Sequence, residues 1–460
     1  MVSRDRTTTF RHHFGLIIGV NALWLPLSML FNSLQSLVLP VYVLHFVAPA
    51  QKGTVLGVIL FVGLAVGALI QPIAGSYSDR LSGAHVSSVG RWGRRQPLIV
   101  VGVLLTLAFL AGFAVAPSIA ALAVAYVGVT LMASIAQAGF QGFLPDFVPA
   151  GLRGRAAGLK GFLELLGSLL GFSIAGILLK KGHPGGVFLA IGVLLVLGLV
   201  LSLALVHENR RRPLEAPVWE VRDGGPSAGP ATTLARHASH DQPPVPDAGG
   251  ALSHHAVFTR VLVSRFLFLL SVYGIGHFLL YYMRDRLHAN GAVGLTSVLF
   301  TVFTLVTALV AIGGGVLSDR IGRLPVLWGA AALSALGALL FIPATTVPLI
   351  LVGGSIMSAG SGLFASANWA LTADLTPHGT GGRSFGLLAV ATGGAAALAG
   401  LFGILVDRAG YTPLFVVAAV AFALSAAVLP RHADIAAAVA HALVPDARRG
   451  DSRAWSGEQG

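Results

Sequence analysis

The composition of this 460-residue chain excludes an ordinary soluble globular protein. Apolar residues make up 55% of the chain and charged residues only 10%, whereas about a quarter of the residues in soluble domains are charged. The net charge of +12 comes mainly from arginines scattered over short segments between apolar runs, which favours membrane topology over a nucleic-acid surface. No cysteine is present, so disulfides and thiolate metal sites are excluded. The composition therefore predicts an integral membrane protein.

Twelve apolar runs follow one another along the chain, each long enough to cross a hydrocarbon core of about 30 Å. They predict an all-α integral membrane protein with twelve transmembrane helices in two pseudo-symmetric six-helix bundles. The predicted spans lie near residues 14–46, 54–78, 97–116, 118–140, 156–180, 186–206, 260–284, 293–317, 325–343, 346–371, 383–405 and 411–430. The first run is too long for one straight span, and we expect Pro40 to mark its end.

The basic residues predict the orientation of the spans. With a cytoplasmic N-terminus, only six Lys and Arg residues fall in outer segments, and the other basic residues outside the spans fall in inner ones. The outer six are Lys52, Lys180, Lys181, Arg284, Arg286 and Arg408. By the positive-inside rule both termini are cytoplasmic, and we expect a multi-pass protein of the plasma membrane.

A polar stretch divides the chain into two parts. Residues 207–259 are rich in Pro, Gly, Ser and His and have no hydrophobic periodicity, which is typical of a disordered cytoplasmic linker. Its histidines could also be imagined as metal ligands, but the composition favours the linker. We therefore predict an N-terminal bundle over 1–206, the linker, a C-terminal bundle over 260–430 and a cytoplasmic tail over 431–460.

Two sequence repeats relate these bundles. Gly75 to Pro97, GSYSDRLSGAHVSSVGRWGRRQP, returns in shorter form as Gly315 to Pro325, GVLSDRIGRLP. A second set returns at a constant displacement of 228 residues: Asp146, Pro149, Arg155 and Gly158 match Asp374, Pro377, Arg383 and Gly386. The chain therefore contains two copies of one unit in parallel order.

Twelve spans in two such repeats, with Gly-x-x-x-Asp-Arg loops after the second and eighth spans, resemble the major facilitator superfamily. The long insert before Arg-Trp-Gly-Arg-Arg-x-Pro and the LPDFVP segment at Leu144 to Pro149 are similar to the glycoside, pentoside and hexuronide cation symporters and to sucrose transporters. The chain departs from melibiose-type members, which have membrane-embedded aspartates in the early spans. The resemblance implies alternating access without a cofactor.

The resemblance also implies a conformational latch at the repeated loops, because a carboxylate there can accept charge-assisted hydrogen bonds and face the positive end of a neighbouring helix. The alternative is that these residues only fix topology and satisfy loop backbone. The predicted latch residues are Gly75, Asp79, Arg80, Arg94, Arg95, Asp146, Arg155, Asp319, Arg320, Arg323, Asp374 and Arg383.

Glu164 is the only acidic residue that falls well inside a predicted span. An intramembrane carboxylate must face a cavity, hold a proton or pair with a cation, and Lys160 lies one turn away. We predict that Glu164 and Lys160 serve proton coupling; the alternative is a structural pair at i and i+4.

Polar residues recur at helical spacing in spans one, four, seven and ten, which line the central cavity in the superfamily. The predicted substrate-binding residues are Asn32, Gln35, Gln137, His277, Tyr281 and Asn368. Interhelical hydrogen bonding without a ligand is the alternative. Arg265 is close enough to the cytoplasmic end of its span to snorkel, so the cavity is expected to suit an uncharged solute.

These patterns predict a secondary active transporter, most simply a proton-coupled importer of a neutral sugar or glycoside-like solute. Efflux of an amphiphile or drug by proton antiport is one alternative, and a transport-inactive receptor or assembly factor is another. No Walker loop, nucleophile elbow or zinc-type spacing occurs in a fitting context, so we expect no enzyme, catalytic residue, metal or cofactor. The expected partners are the solute, protons and the bilayer, not nucleic acid, and the protein is expected to be a monomer.

Overall fold

The computed structural model describes residues 15–80, 95–148, 152–206, 254–376 and 381–435. Every regular element among them is helical, which confirms the predicted all-α class. The helices are α1 (Gly15–Phe46), α2 (Lys52–Arg80), α3 (Gln96–Ala114), α4 (Ile119–Gln141), α5 (Arg153–Lys180), α6 (Pro184–Leu205), α7 (His254–Asp285), α8 (Ala292–Ile321), α9 (Arg323–Leu339), α10 (Val347–Asp374), α11 (Gly381–Gly400, continued by Phe402–Ala409) and α12 (Tyr411–Ala427). A short helix, Phe143–Phe147, follows α4.

Ten of these helices are long and apolar enough to cross a membrane, and α9 and α12 are shorter apolar helices. Helix α7 begins at His254, six residues before the predicted start of the second bundle. The greater part of the predicted linker (residues 207–253) and of the predicted tail (residues 436–460) lies outside the described residues. The boundaries at 206 and 260 therefore stay a prediction.

Helix α1 does not end at Pro40, contrary to the expectation. It continues to Phe46, and a five-residue π-helical turn, Leu34–Val38, precedes the proline. Proline has no N–H group and its ring clashes with the carbonyl four residues earlier in a regular α-helix. A π-helical turn is rare, and such turns are frequently found at functional sites. Here the turn includes Gln35 and Ser36, which line a cavity described below.

The helices pack in two groups, α1–α6 and α7–α12, which we call the first and second halves. Helices α2 with α4, α3 with α4 and α1 with α5 pack in the first half; α8 and α9 with α10 and α7 with α11 and α12 pack in the second. The halves meet along two seams, α2 with α11 and α5 with α8. A Cβ atom on Gly57 would lie 2.1 Å from the Gly400 carbonyl oxygen, so glycine is required for this close approach.

The tight contacts of the α5–α8 seam lie towards one end of the molecule, and those of the α2–α11 seam extend from the same end to the middle, where a Cβ on Gly393 would lie 2.7 Å from Ala68. We call this end the Lys52 face; it contains Lys52, Asp285 and Asp407. The opposite end, with Arg95, Asp146, Arg323 and Asp374, is the Arg95 face. Towards the Arg95 face, a Cβ on Gly158 of α5, or on Gly313 or Gly315 of α8, would meet nothing within 4 Å. The halves are therefore closed together at the Lys52 face and looser at the Arg95 face.

Candidate functional site

A cavity of about 350 Å³ lies between the two halves, within the usual size of a small-molecule site. Helices α1 and α5 of the first half and α7, α8 and α10 of the second form its wall. Seven lining residues carry aromatic rings: Phe172, Phe268, Tyr273, Phe300, Phe303, Phe364 and Trp369. Its polar members include Asn32, Gln35, Ser36, Ser168, Arg265, His277, Thr304, Thr307, Ser358 and Ser361.

Three of the six predicted substrate-binding residues, Asn32, Gln35 and His277, lie on this wall. The Asn32 amide donates to the Ser28 carbonyl at 2.9 Å and to the Ser168 hydroxyl at 3.0 Å. His277 is 2% exposed, and neither ring nitrogen has a hydrogen-bond partner among the described residues. A buried polar group without a partner is costly, so His277 is an unsatisfied polar group at the cavity wall.

Tyr281 lies beyond the cavity, in the closure at the Lys52 face. It is fully buried, and its hydroxyl donates to the Pro40 carbonyl of α1 at 3.0 Å. The Lys52 ammonium stands 5.3 Å above its ring, which is a cation–π geometry. Tyr281 thus joins the two halves and is not among the residues that line the cavity.

A charged cluster completes that closure. The Lys52 ammonium pairs with the Asp285 carboxylate at 2.6 Å, and the Tyr411 hydroxyl donates a short hydrogen bond to the same carboxylate. Asp407 accepts from the backbone N–H groups of Gly53 at 3.0 Å and Thr54 at 2.6 Å. A carboxylate is favourable at the positive end of a helix. Side chains of α7 and α11 therefore hold the first turn of α2 across the boundary between the halves.

Gln137 lies away from the cavity wall, on the polar row of α4. Its side-chain oxygen accepts from the Gln71 amide of α2 at 3.2 Å. A Cβ on Gly63 of α2 would lie 2.5 Å from the Tyr126 ring, and one on Gly67 would lie 2.8 Å from the Ser134 hydroxyl. The polar row of α4 thus packs against small residues of α2, as helix pairs in membranes commonly do.

Arg265 does not snorkel to the end of α7, because its side chain lines the cavity. Its Nη1 donates to the Oδ1 of Asn368 at 2.8 Å and its Nε to the Thr392 hydroxyl at 3.1 Å. Asn368, the remaining predicted substrate residue, is fully buried behind it. The spacing of Arg265, Tyr273 and His277 at i, i+8 and i+12 places all three within about 120° of the circumference of α7, and this signal was available from the sequence.

The Lys160–Glu164 pair lies near the cavity wall, towards the Arg95 face. The two charged groups are 3.6 Å apart, and the Lys160 ammonium stands 4.1 Å above the Trp24 ring of α1. The Glu164 carbonyl accepts from the hydroxyl of Ser168, which lines the cavity.

The repeated motifs form two matching ion pairs at the Arg95 face. Arg95 Nε lies 2.8 Å from Asp146 Oδ2, and Arg323 Nε lies 3.3 Å from Asp374 Oδ2. Arg323 also binds Asp319 one turn earlier. A Cβ on Gly142 would lie 2.0 Å from the Arg95 guanidinium, so a side chain at this position would clash with the arginine. Arg95 thus ties the start of α3 to the short helix after α4, and Arg323 ties the start of α9 to the last residue of α10.

The other predicted latch residues lie around these pairs. Gly75 lies on α2 with open space around its Cβ position, and Arg155 and Arg320 are exposed near the ends of α5 and α8. Asp79, Arg80 and Arg383 lie in helical segments whose side chains are outside the described part, and Arg94 is outside the described residues altogether.

Comparisons with known proteins agree on one family and one fold. The family model described as Major Facilitator Superfamily matches residues 25–295 and 261–443. No curated protein matches the sequence. A D-xylose-proton symporter structure is 14% identical, with a TM-score of 0.64 over 90% of this chain and 96% of that one. A bacterial homolog of the human lysosomal transporter Spinster, in an inward-facing and occupied conformation, is 15% identical, with a TM-score of 0.60 over 93% of this chain and 95% of that one.

Proposed function

The chain belongs to the Major Facilitator Superfamily, and from that premise we propose that it moves an amphiphilic small molecule through the described cavity by proton-coupled alternating access. Members of this family are secondary transporters, not enzymes, and the chain is a multi-pass membrane protein. We further propose that the Arg95 face is cytoplasmic, because the basic loops predict this orientation. The described state then has a cavity closed towards the outside of the plasma membrane.

The cavity wall is the observation that supports an amphiphile. A neutral sugar presents hydroxyl groups on all sides and needs a matching set of hydrogen-bonding partners. Several wall hydroxyls here already donate to carbonyls of their own helices: Ser361 to Met357 at 3.0 Å and Thr304 to Phe300 at 2.8 Å. Seven aromatic rings form much of the remaining wall, which favours an apolar body. Import of a sugar, and membership of the glycoside or sucrose branch, stay predictions with less support than an amphiphile has.

The proposed proton site is Glu164 with Lys160. The backbone carbonyl of Glu164 accepts a hydrogen bond from the hydroxyl of Ser168, which lines the cavity. A change of charge at Glu164 can therefore act on the cavity wall through one turn of α5. Among the described residues, its side chain is the only carboxylate in the middle of an apolar helix. Intramembrane carboxylates commonly serve as proton relays in transporters.

Cavity occupancy can be tested with one apolar probe and two matched glycine variants. We expect 2-(1-naphthyl)ethanol, but not glucose, to raise the apparent melting temperature of the purified full chain, because a ligand that binds only the native state stabilises it. A Cβ on Gly276 of the wall would meet nothing within 4 Å, so Gly276→Phe should fill the cavity and abolish the shift. Gly329→Phe, at an exposed and equally open position of α9, should retain it. Stabilisation by glucose alone would contradict the amphiphile proposal.

Proton coupling can be tested in proteoliposomes that contain a pH-sensitive dye. Addition of the same probe should change the internal pH of vesicles with the unmodified protein, and the sign of the change distinguishes symport from antiport. Glu164→Gln should abolish the pH change while leaving the thermal shift intact, and Glu164→Asp should retain both. A Glu164→Gln protein that still moves protons with the probe would overturn this role.

A further inference from the structure

Arg265 differs in its charge pairing from the other described Lys and Arg residues whose side chains are not exposed. Lys52, Lys160, Arg95 and Arg323 each lie within 4 Å of a carboxylate. No described carboxylate forms such a pair with Arg265, whose observed acceptors are the neutral side chains of Asn368 and Thr392. A guanidinium within the apolar part of a membrane protein normally pairs with an anion or faces an aqueous cavity. Its positive charge is therefore available to a molecule in the cavity.

The surroundings of Arg265 hold the guanidinium in a fixed position. The guanidinium has five N–H donors, and the two bonds to Asn368 and Thr392 use two of them. The amide of Asn368 is fully buried, and its nitrogen has no partner among the described residues. A carboxylate at this position would neutralise Arg265 internally, but the chain has the nearly isosteric neutral amide. This arrangement orients the guanidinium and leaves its charge uncompensated.

The cavity has room for an elongated molecule beyond this group. Arg265 and His277 lie twelve residues apart on α7, about 18 Å at the rise of an α-helix. The aromatic rings of Phe268, Phe300 and Phe303 lie on the wall of the same cavity. An anionic head at Arg265 would thus place an apolar body against the rings, with the unpartnered His277 at the far end.

We propose that Arg265, held by Asn368 and Thr392, binds the carboxylate or another oxyanion of an amphiphilic substrate, so that the transported compound is an amphiphilic anion. Two parallel N–H···O bonds to an oxyanion are the strongest interaction that arginine forms. This inference rests on the proposed function, since it specifies the head group of the amphiphile. Among the described residues that line the cavity, Arg265 is the only Lys or Arg.

The test compares two probes that share one apolar body, 1-naphthaleneacetate and 2-(1-naphthyl)ethanol. Binding to the full chain in lipid nanodiscs is measured by calorimetry, with empty nanodiscs subtracted for partitioning. We expect the acetate to bind at least about tenfold more tightly than the alcohol, because hydrogen bonds to charged groups contribute about 1.5–3 kcal/mol. Arg265→Gln should reduce this ratio to near one, and Arg265→Lys should keep part of it. Arg260→Gln, at an exposed position five residues earlier on α7, should leave it unchanged.

Asn368→Asp provides a second variant that keeps the arginine. The new carboxylate would neutralise Arg265 from within, so the preference for the acetate should disappear while binding of the alcohol remains. Equal affinity of the unmodified protein for both probes, or a preference that persists in Arg265→Gln or Asn368→Asp, would overturn the anion site and leave the amphiphile proposal standing. Failure of both probes to bind the unmodified protein would overturn the amphiphile proposal itself and the anion site with it.

Discussion

The two faces of the molecule arrange their charged residues differently. At the Lys52 face, Lys52 pairs with Asp285 and the first turn of α2 binds Asp407, so the charged contacts join the first half to the second. At the Arg95 face, Arg95 pairs with Asp146 and Arg323 with Asp374, so each of these contacts stays within one half.

This difference assigns the two sets of charges different roles in alternating access. Pairs within a half can persist in every state, and they make each half move as one body. Pairs between halves must break when the Lys52 face opens, so they set the energy difference between the two states. A latch at the Arg95 face, as the sequence repeats imply, would form when that face closes, and it stays a proposal because the side chains of Asp79 and Arg383 are not described.

The largest effect is expected from Asp285→Asn. This change leaves the Lys52 ammonium, which is only 8% exposed, without its carboxylate, at a cost of about 3 kcal/mol, the low end for a broken buried pair. A shift of this size changes the ratio of the two states on the order of 100-fold in favour of an open Lys52 face.

The measurement uses distances between spin labels on engineered cysteine pairs across each face, and the native chain has no cysteine that would interfere. Arg284→Gln, at the exposed neighbouring position, is the control and should leave the distances unchanged. An unaltered distance distribution in Asp285→Asn would show that the Lys52 cluster does not hold this face closed.

The sequence predicted the helices and the repeats well because both depend on local patterns. Run length fixes the number of spans, and the constant displacement of 228 residues relates Asp146 to Asp374 and Arg95 to Arg323. The structure brings these residues together as two equivalent pairs. A single repeat unit thus forms the same contact twice.

The level along the helices at which the two halves close could not be predicted from the sequence. For this reason the sequence did not place Tyr281 in the closure or Arg265 on the cavity wall. The two residues lie sixteen positions apart on α7, or about 24 Å along its axis. Only the packing of α2 with α11 and of α5 with α8 determines that Tyr281 lies in the closure and Arg265 on the cavity wall. For Gln137 a signal existed: Gly63 and Gly67 form a Gly-x-x-x-Gly pair on α2, which indicates a close helix partner.

A smaller effect at the same face is expected from Gly57→Ala. The added methyl group would lie 2.1 Å from the Gly400 carbonyl oxygen, so α2 and α11 must separate where the Lys52 face is closed. Overpacking of this kind costs about 1–3 kcal/mol, so the ratio of open to closed state, measured by the same label distances, should rise about fivefold or more. Gly112→Ala, at an exposed position of α3 in the same half, is the control, because a Cβ there would meet nothing within 4 Å. Equal behaviour of the two variants would contradict the proposed role of the α2–α11 seam.

The smallest effects on the label distances are expected at the Arg95 face, where the two repeat-related pairs allow an internal comparison of stability. Arg95 and Asp146 have 8% and 18% of their side chains exposed, whereas Arg323 and Asp374 have 27% and 42%. Loss of one partner of a buried pair costs about 3–5 kcal/mol of stability, and loss of an exposed pair about 0–1 kcal/mol.

Asp146→Asn should therefore lower the apparent melting temperature of the purified chain more than Asp374→Asn does, although both residues occupy the same position of the repeat. Since each pair lies within one half, neither variant should change the label distances across the Lys52 face as Asp285→Asn does. If Asp146→Asn instead opened or closed that face without loss of stability, the pair would act in the switch between states. The distinction between the roles of pairs within a half and pairs between the halves would then be wrong.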